Sequence, residues 1–133
     1  MTKPRVVLDT NIYLSGIIFG GNCRHILDLA IEGKIIAISS LGILLEISQK
    51  LEKKFKWNKE KILRTIKTIG QTAEIVYPKI KLKIVKADKN DNKILEAGIE
   101  GNADYLVSGD KHLLNIKDYG GMEILSPADF LLL

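Results

Sequence analysis

The chain has 133 residues, 46% of them hydrophobic and 27% charged, which suits one globular domain over residues 1–133 and leaves little room for two. Its one cysteine excludes an intrachain disulfide, its two histidines complete no zinc-ligand spacing, and no apolar run nears the roughly 18 residues of a membrane span. The formal charge of +4 permits an anionic partner such as nucleic acid without demanding one. The opening MTKPRVVLDT lacks the apolar stretch of a signal peptide, so the expected location is cytoplasmic.

Arg5 to Leu8 is a short Val-rich run that suits a buried strand. A helical stretch follows to about Phe19 and breaks at Gly20 and Gly21. Residues 24–32 read as a helix with Ile26, Leu27, Ala30 and Ile31 on one side, and Gly33 stands where a C-terminal cap belongs. IIAIS, 35–39, is a second buried strand, after which Ser39 or Ser40 can cap a helix. That helix carries Leu44, Ile47, Leu51 and Phe55 at close to helical period. Asn58 opens another, with Ile62, Leu63, Ile66 and Ile69 inward and Lys59, Lys61, Arg64 and Lys67 on its wetter side. AEIVYP, 73–78, is a third strand ended by Pro78. IKLKIVK, 80–86, alternates apolar and basic residues, as an extended segment or an exposed edge does. Residues 91–100 form a short helix using Ile94, Leu95, Gly98 and Ile99. DYLVSGD, 104–110, is a strand running into a loop, and MEILS, 122–126, is a last short strand. SPAD, 126–129, starts a helix with Ser as cap and Pro in the first position.

Strands alternating with helices give an α/β fold, a mostly parallel sheet with helices on both faces. In such folds ligands bind beyond the carboxyl ends of the strands. Asp9 sits at the carboxyl end of the first strand and Asp110 just past the strand YLVSG. Glu46 lies in the helix leaving the second strand, and Asp91 opens the helix before the fourth. Each acid also has a plain structural reading: Asp9, Asp91 and Asp110 as helix N-caps, Glu46 as the partner of Lys50 one turn on. If the four share one rim, repulsion follows, about 4 kcal/mol for two unit charges about 4 Å apart at an effective dielectric near 20. Oxygen ligands without imidazole or thiolate favour Mg²⁺ or Mn²⁺, which suits metal-assisted phosphodiester hydrolysis. Asn11 can bond a phosphate, a water or one of the acids, or simply make a local turn. Ser108 can orient Asp110 or touch a phosphate, or serve the turn in SGD.

Other features offer less chemistry. The lysines from Lys50 to Lys67 make either an RNA-facing surface or solvated helix faces. Trp57 is a loop anchor or a base-stacking platform. His112 and Cys23 have no evident partner for nucleophilic catalysis, and no Gly-rich nucleotide motif is present. A phosphoaspartate enzyme would want a second acid two residues after Asp9, where Asn11 stands.

At LDTN, LLEI, NDNKILEA and LVSGDKHLL, between Arg5 and about Phe130, the chain resembles the PIN domain family, and within it the toxins of toxin–antitoxin pairs. The resemblance implies a three-layer α/β/α sandwich and a ribonuclease dependent on Mg²⁺ or Mn²⁺. It implies that Asp9, Glu46, Asp91 and Asp110 hold the metal, with Asn11 and Ser108 as supporting polar groups. It further implies RNA as substrate, a cognate antitoxin protein as partner, and a tendency to dimerise. The run DKNDN departs from the family's usual D-P-D-D-N, keeping Asp88 and Asp91 but placing Lys89 and Asn90 between them. The alternative is a non-enzymatic PIN-like module that binds RNA or protein.

Overall fold

The computed structural model describes residues 2–85 and 89–133. Over these the chain runs β1 (Arg5–Leu8), α1 (Thr10–Ile18), α2 (Gly21–Ile31), β2 (Ile36–Ser40), α3 (Leu41–Lys53), α4 (Lys59–Thr72), β3 (Glu74–Val76), α5 (Lys89–Glu100), β4 (Tyr105–Val107), α6 (Lys111–Leu114), β5 (Asp118–Tyr119), β6 (Met122–Leu125) and α7 (Pro127–Leu131). The sheet order is β3-β2-β1-β4-β6-β5. Neighbours are parallel except β5 and β6. The first three strands step outward one way from β1, and β4 then returns to its other side. The strand order therefore reverses between β1 and β4, the position where open parallel sheets hold their ligands.

Two-residue alternation sends β1 side chains to both faces. Val7 and Ile38 face α5. A Cβ on Gly98 would stand 3.0 Å from Val7 Cγ1, and one on Gly101 only 2.7 Å from Ile38 Cγ2, so these glycines let the helix close on the sheet. Leu8 and Ala37 face the other way, toward Tyr13, Leu27 and Ile69 of α1, α2 and α4. Helices thus cover both faces, and the expected α/β/α sandwich with a mostly parallel sheet is what the chain forms. Val6, Val7, Leu8, Ile38, Leu106 and Val107 are fully enclosed. Each such aliphatic residue contributes about 1.5–3 kcal/mol through burial.

The helix starts follow local chemistry. Ser40 Oγ accepts from the Ile43 N–H at 3.3 Å, Asn58 Oδ1 from Lys61 at 2.9 Å, and Ser126 Oγ from Asp129 at 3.1 Å. Gly33, at φ 75°, ends α2 in the left-handed conformation. Trp57 is half-buried against the core with the Lys61 ammonium 3.9 Å from its ring centre, the anchoring arrangement. The terminal FLLL divides. Phe130 is buried, edge-on to Tyr105 at 5.7 Å, while Leu132 and Leu133 are exposed.

Several local expectations need correction. Leu63 is 69% exposed because α4 fully buries only Ile62 and Ile69. Phe55 lies beyond the end of α3 but still packs on the core. The helix α5 begins at Lys89, so Asp91 falls within its first turn. β5 pairs with β6 across Gly120 and Gly121, both at positive φ, which is the two-residue hairpin turn. Residues 80–85 form no strand, while Lys86 and Asp88 lie outside the described residues. Among the described residues, no helix is long and apolar enough to cross a membrane.

At the amino end of the sheet a cation bridges the acids. The Arg5 backbone N–H donates to Asp104 Oδ2 at 2.9 Å, its Nε donates to the Gly101 carbonyl at 2.9 Å, and its guanidinium pairs with Glu74. That bond raises the Arg5 pKa and lowers the Glu74 pKa.

Candidate active site

The buried run Val6-Val7-Leu8 delivers Asp9 to the switch point. Its N–H continues the ladder to the Val107 carbonyl at 3.1 Å, so the backbone at Asp9 is fixed by β4. The residue is only 5% exposed. Asp9 Oδ1 accepts from the Asn11 N–H at 3.2 Å, which caps α1, and Oδ2 accepts from the Ser108 hydroxyl at 2.6 Å. Ser108 is completely buried, and its oxygen accepts from the Asp110 N–H at 3.0 Å. Asp110 in turn caps α6, its Oδ1 accepting from the His112 N–H at 2.7 Å. The structural and the chemical readings of these two acids therefore coexist. A carboxylate has two oxygens and several lone pairs, and capping uses only part of them. Ser108 ties Asp9 to the backbone of Asp110, so it bridges the ends of β1 and β4.

The field at this point is uncompensated. Burial pushes the Asp9 carboxyl above its ordinary value; the Ser108 hydroxyl and the Asn11 N–H work against this, and the charges of Glu46 and Asp110 push the same way as burial. Asp9, Glu46 and Asp110 thus interact electrostatically. Glu46 Oε2 is buried and, among the described residues, has no hydrogen-bond partner. Lys50 does not pair with it. Its ammonium lies 3.5 Å from Asn11 Oδ1, at the outer limit of a hydrogen bond. Asn11 therefore contributes its backbone N–H to Asp9 and turns its side chain outward to Lys50.

Asp91 reaches the same rim by another route. The C-terminal end of α5 is pinned at the amino edge of the sheet by the Arg5 bond to Gly101. A 12-residue helix spans about 18 Å at about 1.5 Å per residue. Its first turn, with buried Asp91, therefore stands toward the carboxyl edge. The Lys93 stem beside it lies 3.7 Å from the position of a Cβ on Gly42, in the first turn of α3.

These oxygen donors fit a hard divalent cation in chemistry. The Asp9 anion is disfavoured by its surroundings, and Glu46 brings a buried oxygen with capacity to spare. Among the described residues, no three Asp, Glu, His or Cys side chains already gather around one point. Mg²⁺ tolerates this, because it is commonly held by one or two carboxylates and keeps several waters.

Three buried hydroxyls at the same end were not singled out from the sequence as site residues; Ser39 was offered only as an alternative cap to Ser40, and Ser40 makes that cap. Thr10, between Asp9 and Asn11, is 1% exposed and its hydroxyl has no partner among the described residues. Tyr13 is held un-ionised by burial, with the Ser39 hydroxyl beside it but without a well-formed hydrogen bond. The LDTN motif itself was the signal for Thr10; nothing local marked Tyr13, and the cap reading of Ser39 did not point to this site. A separate cavity of about 420 Å³ lies between α1, α2 and α4. Tyr13, Ile17, Leu27 and Ile69 line it, with Arg24 and Arg64 and no carboxylate.

Comparisons with known proteins agree with this architecture. Residues 5–112 match the family model described as PIN domain. No curated protein matches the chain significantly. A chain in the crystal structure of VapBC2 from Rickettsia felis, bound to a DNA fragment from their promoter, superimposes with a TM-score of 0.63 at 20% identity, covering 92% of this chain and 98% of that one. PAE2754 from Pyrobaculum aerophilum superimposes with a TM-score of 0.61 at 13% identity, covering 98% of this chain and 88% of that one. At these identities the likeness is one of fold.

Proposed function

The chain belongs to the PIN domain family, and from that premise we propose that it is a divalent-metal-dependent endoribonuclease, the toxin of a toxin–antitoxin pair in the cytoplasm. The observation that carries the reading is the buried, uncompensated carboxylate of Asp9 at the β1–β4 switch point, in the field of Glu46 and Asp110. In this reading Asp9, Asp91 and Asp110 hold Mg²⁺ or Mn²⁺, and Glu46 holds it directly or through water. The ion supplies neutralisation of these acids, an activated water and stabilisation of the leaving oxygen of a phosphodiester.

The chain's own groups do the positioning. Ser108 keeps the Asp9 carboxylate turned to the rim and fixes Asp110 relative to it. Asn11 and Lys50 place an amide and an ammonium at the edge of the acids, suited to a substrate phosphate. The likeness to the VapBC2 chain supports a protein partner. The cavity between α1, α2 and α4, apolar inside, with Arg24 and Arg64 at its lining already paired to Asp28 and Glu60, suits an apolar segment of such an antitoxin. The exposed Leu132 and Leu133 are available to a homodimer contact. One observation favours the rival, a non-enzymatic binding module: among the described residues no three-ligand cage is pre-formed.

An RNA cleavage assay separates the two. Folded wild type and Asp9→Asn are incubated with RNA and Mg²⁺, Mn²⁺ or EDTA. The ribonuclease reading expects cleavage by wild type alone and only with metal. Failure of folded wild type to cleave several RNAs with either ion would favour the binding module.

A further inference from the structure

Residues 77–85 leave the sheet after β3 and run along α5, antiparallel to it. Their backbone is held by one stripe of that helix. Glu100 Oε1 accepts from the Lys79 N–H at 3.0 Å, and Glu96 Oε2 from Leu82 at 2.8 Å. Asn92 Oδ1 accepts from Ile84 and Val85 at 3.0 and 2.9 Å, and Asn92 Nδ2 donates back to the Val85 carbonyl at 2.8 Å. Asn92, Glu96 and Glu100 are spaced four residues apart, so they fall on one helix face. Three side chains thus do for this strap what a neighbouring strand would otherwise do.

The arrangement leaves cations unspent. Glu96 and Glu100 are engaged by backbone N–H groups. Among the described residues, no ion pair involves Lys79, Lys81, Lys83 or Lys93. On α4, Arg64 is paired with Glu60 and Lys61 lies over Trp57, while Lys59 and Lys67 have no ion pair either among the described residues; what sets the strap apart is its regular spacing and its course toward the acidic rim. Val85 and Leu82 turn inward, while the three strap lysines are exposed at every second position. Two residues of chain span at most about 7 Å, so successive lysines are close enough to serve neighbouring phosphates. Tyr77, 68% exposed, stands at the start of the strap, and its other end is fastened to Asn92, next to Asp91 on the acidic rim. A row of free ammonium groups with an exposed ring, leading to carboxylates, is how sequence-tolerant single-strand binding is built.

We propose that residues 77–85 form the track along which single-stranded RNA approaches the acidic rim, with Lys79, Lys81 and Lys83 on successive phosphates and Tyr77 stacking a base. This rests on the ribonuclease reading. It selects RNA by backbone charge and unstacked bases, without sequence preference.

The test is fluorescence anisotropy of a labelled oligouridylate in EDTA, where no cleavage occurs. It compares wild type, Lys79→Gln/Lys81→Gln/Lys83→Gln, the charge-matched Lys54→Gln/Lys59→Gln/Lys67→Gln, and Tyr77→Ala. All replaced side chains are exposed, and the strap's own bonds come from its backbone, so each variant keeps the fold. The strap triple should bind at least about tenfold more weakly, with a salt slope shallower by about 2. The control triple should change less than about twofold and Tyr77→Ala should lose about fivefold or more. Equal losses in both triples, no loss in the strap triple, or no binding by wild type would overturn the proposal. So would a changed oligomeric state of the strap triple with unchanged RNA affinity, which would make the strap a protein interface. Cleavage of the same RNA with Mn²⁺ keeps the two readings apart. Binding through the strap without cleavage sinks the nuclease and leaves the track. Cleavage with an unchanged KM in the strap triple sinks the track and leaves the nuclease.

Discussion

The two ends of the sheet carry similar numbers of charges and treat them in opposite ways. At the amino end, Arg5 meets Glu74 and Asp104, and its remaining donor finds the Gly101 carbonyl. One cation stands between two carboxylates, and its bond to Glu74 lowers the Glu74 pKa. At the carboxyl end, Asp9 lies in the field of Glu46 and Asp110, relieved by hydrogen bonds from Ser108 and the Asn11 N–H, and burial raises the Asp9 pKa. Acids bridged by a cation hold elements together; acids without one repel, and a ligand can relieve that repulsion. The difference supports the proposal that the carboxyl end is the functional one, independently of sequence similarity.

The largest expected effect comes from removing the imbalance. Asp9→Asn should lower RNA cleavage by at least about a thousandfold, since the metal loses a ligand. Because the amide keeps the shape of the side chain and relieves repulsion, thermal stability without metal should hold or rise; a drop in melting temperature would mean that Asp9 is chiefly structural. Next, Mn²⁺ at about 100 times its dissociation constant should stabilise wild type by about 2.7 kcal/mol and leave Asp9→Asn unmoved, measured by calorimetric melting.

Ser108→Ala should cost about 1–3 kcal/mol in denaturant unfolding, because it strips a buried acceptor from the Asp110 N–H and a donor from Asp9. The same change should weaken Mn²⁺ binding by about 10- to 100-fold. The pH dependence of metal-free stability should have opposite signs at the two ends. With its pKa raised, Asp9 binds more protons folded than unfolded. Its contribution therefore falls as pH rises from about 4 to its own folded value, and is flat above. The Glu74 pKa is lowered, so its contribution is full above about 4 and is lost as pH falls through its folded value. Asp9→Asn should remove the first slope and Glu74→Gln the second. The smallest effect is the size of the Glu74 contribution, under about 1 kcal/mol, because the pair is solvent-screened.

Much of this was legible in the sequence. The Val-rich run ending on Asp9, the caps at Ser40, Asn58 and Ser126, and the helix stop at Gly33 are local chemistry, and local chemistry is written in neighbouring residues. The bond from Ser108 to Asp9, across 99 positions, was legible only as two strand ends on one rim. What the sequence hid was tertiary. Leu63 sits one turn before Ile66 yet faces solvent, because α4 packs through a narrow stripe. Lys50 stands one turn from Glu46 but turns to Asn11, a residue of another helix. The alternation in residues 80–85 reads as an edge strand. Its hydrogen bonds go instead to Asn92, Glu96 and Glu100, and no pattern within the segment announces that partner.

The most direct test of the central claim is Mn²⁺ binding by isothermal titration calorimetry to wild type, Asp9→Asn and Glu74→Gln at neutral pH. The account predicts saturable binding to wild type and Glu74→Gln, and its loss in Asp9→Asn. Equal binding to all three proteins, or none to folded wild type, would contradict the claim that the carboxyl end of the sheet is built to receive a cation.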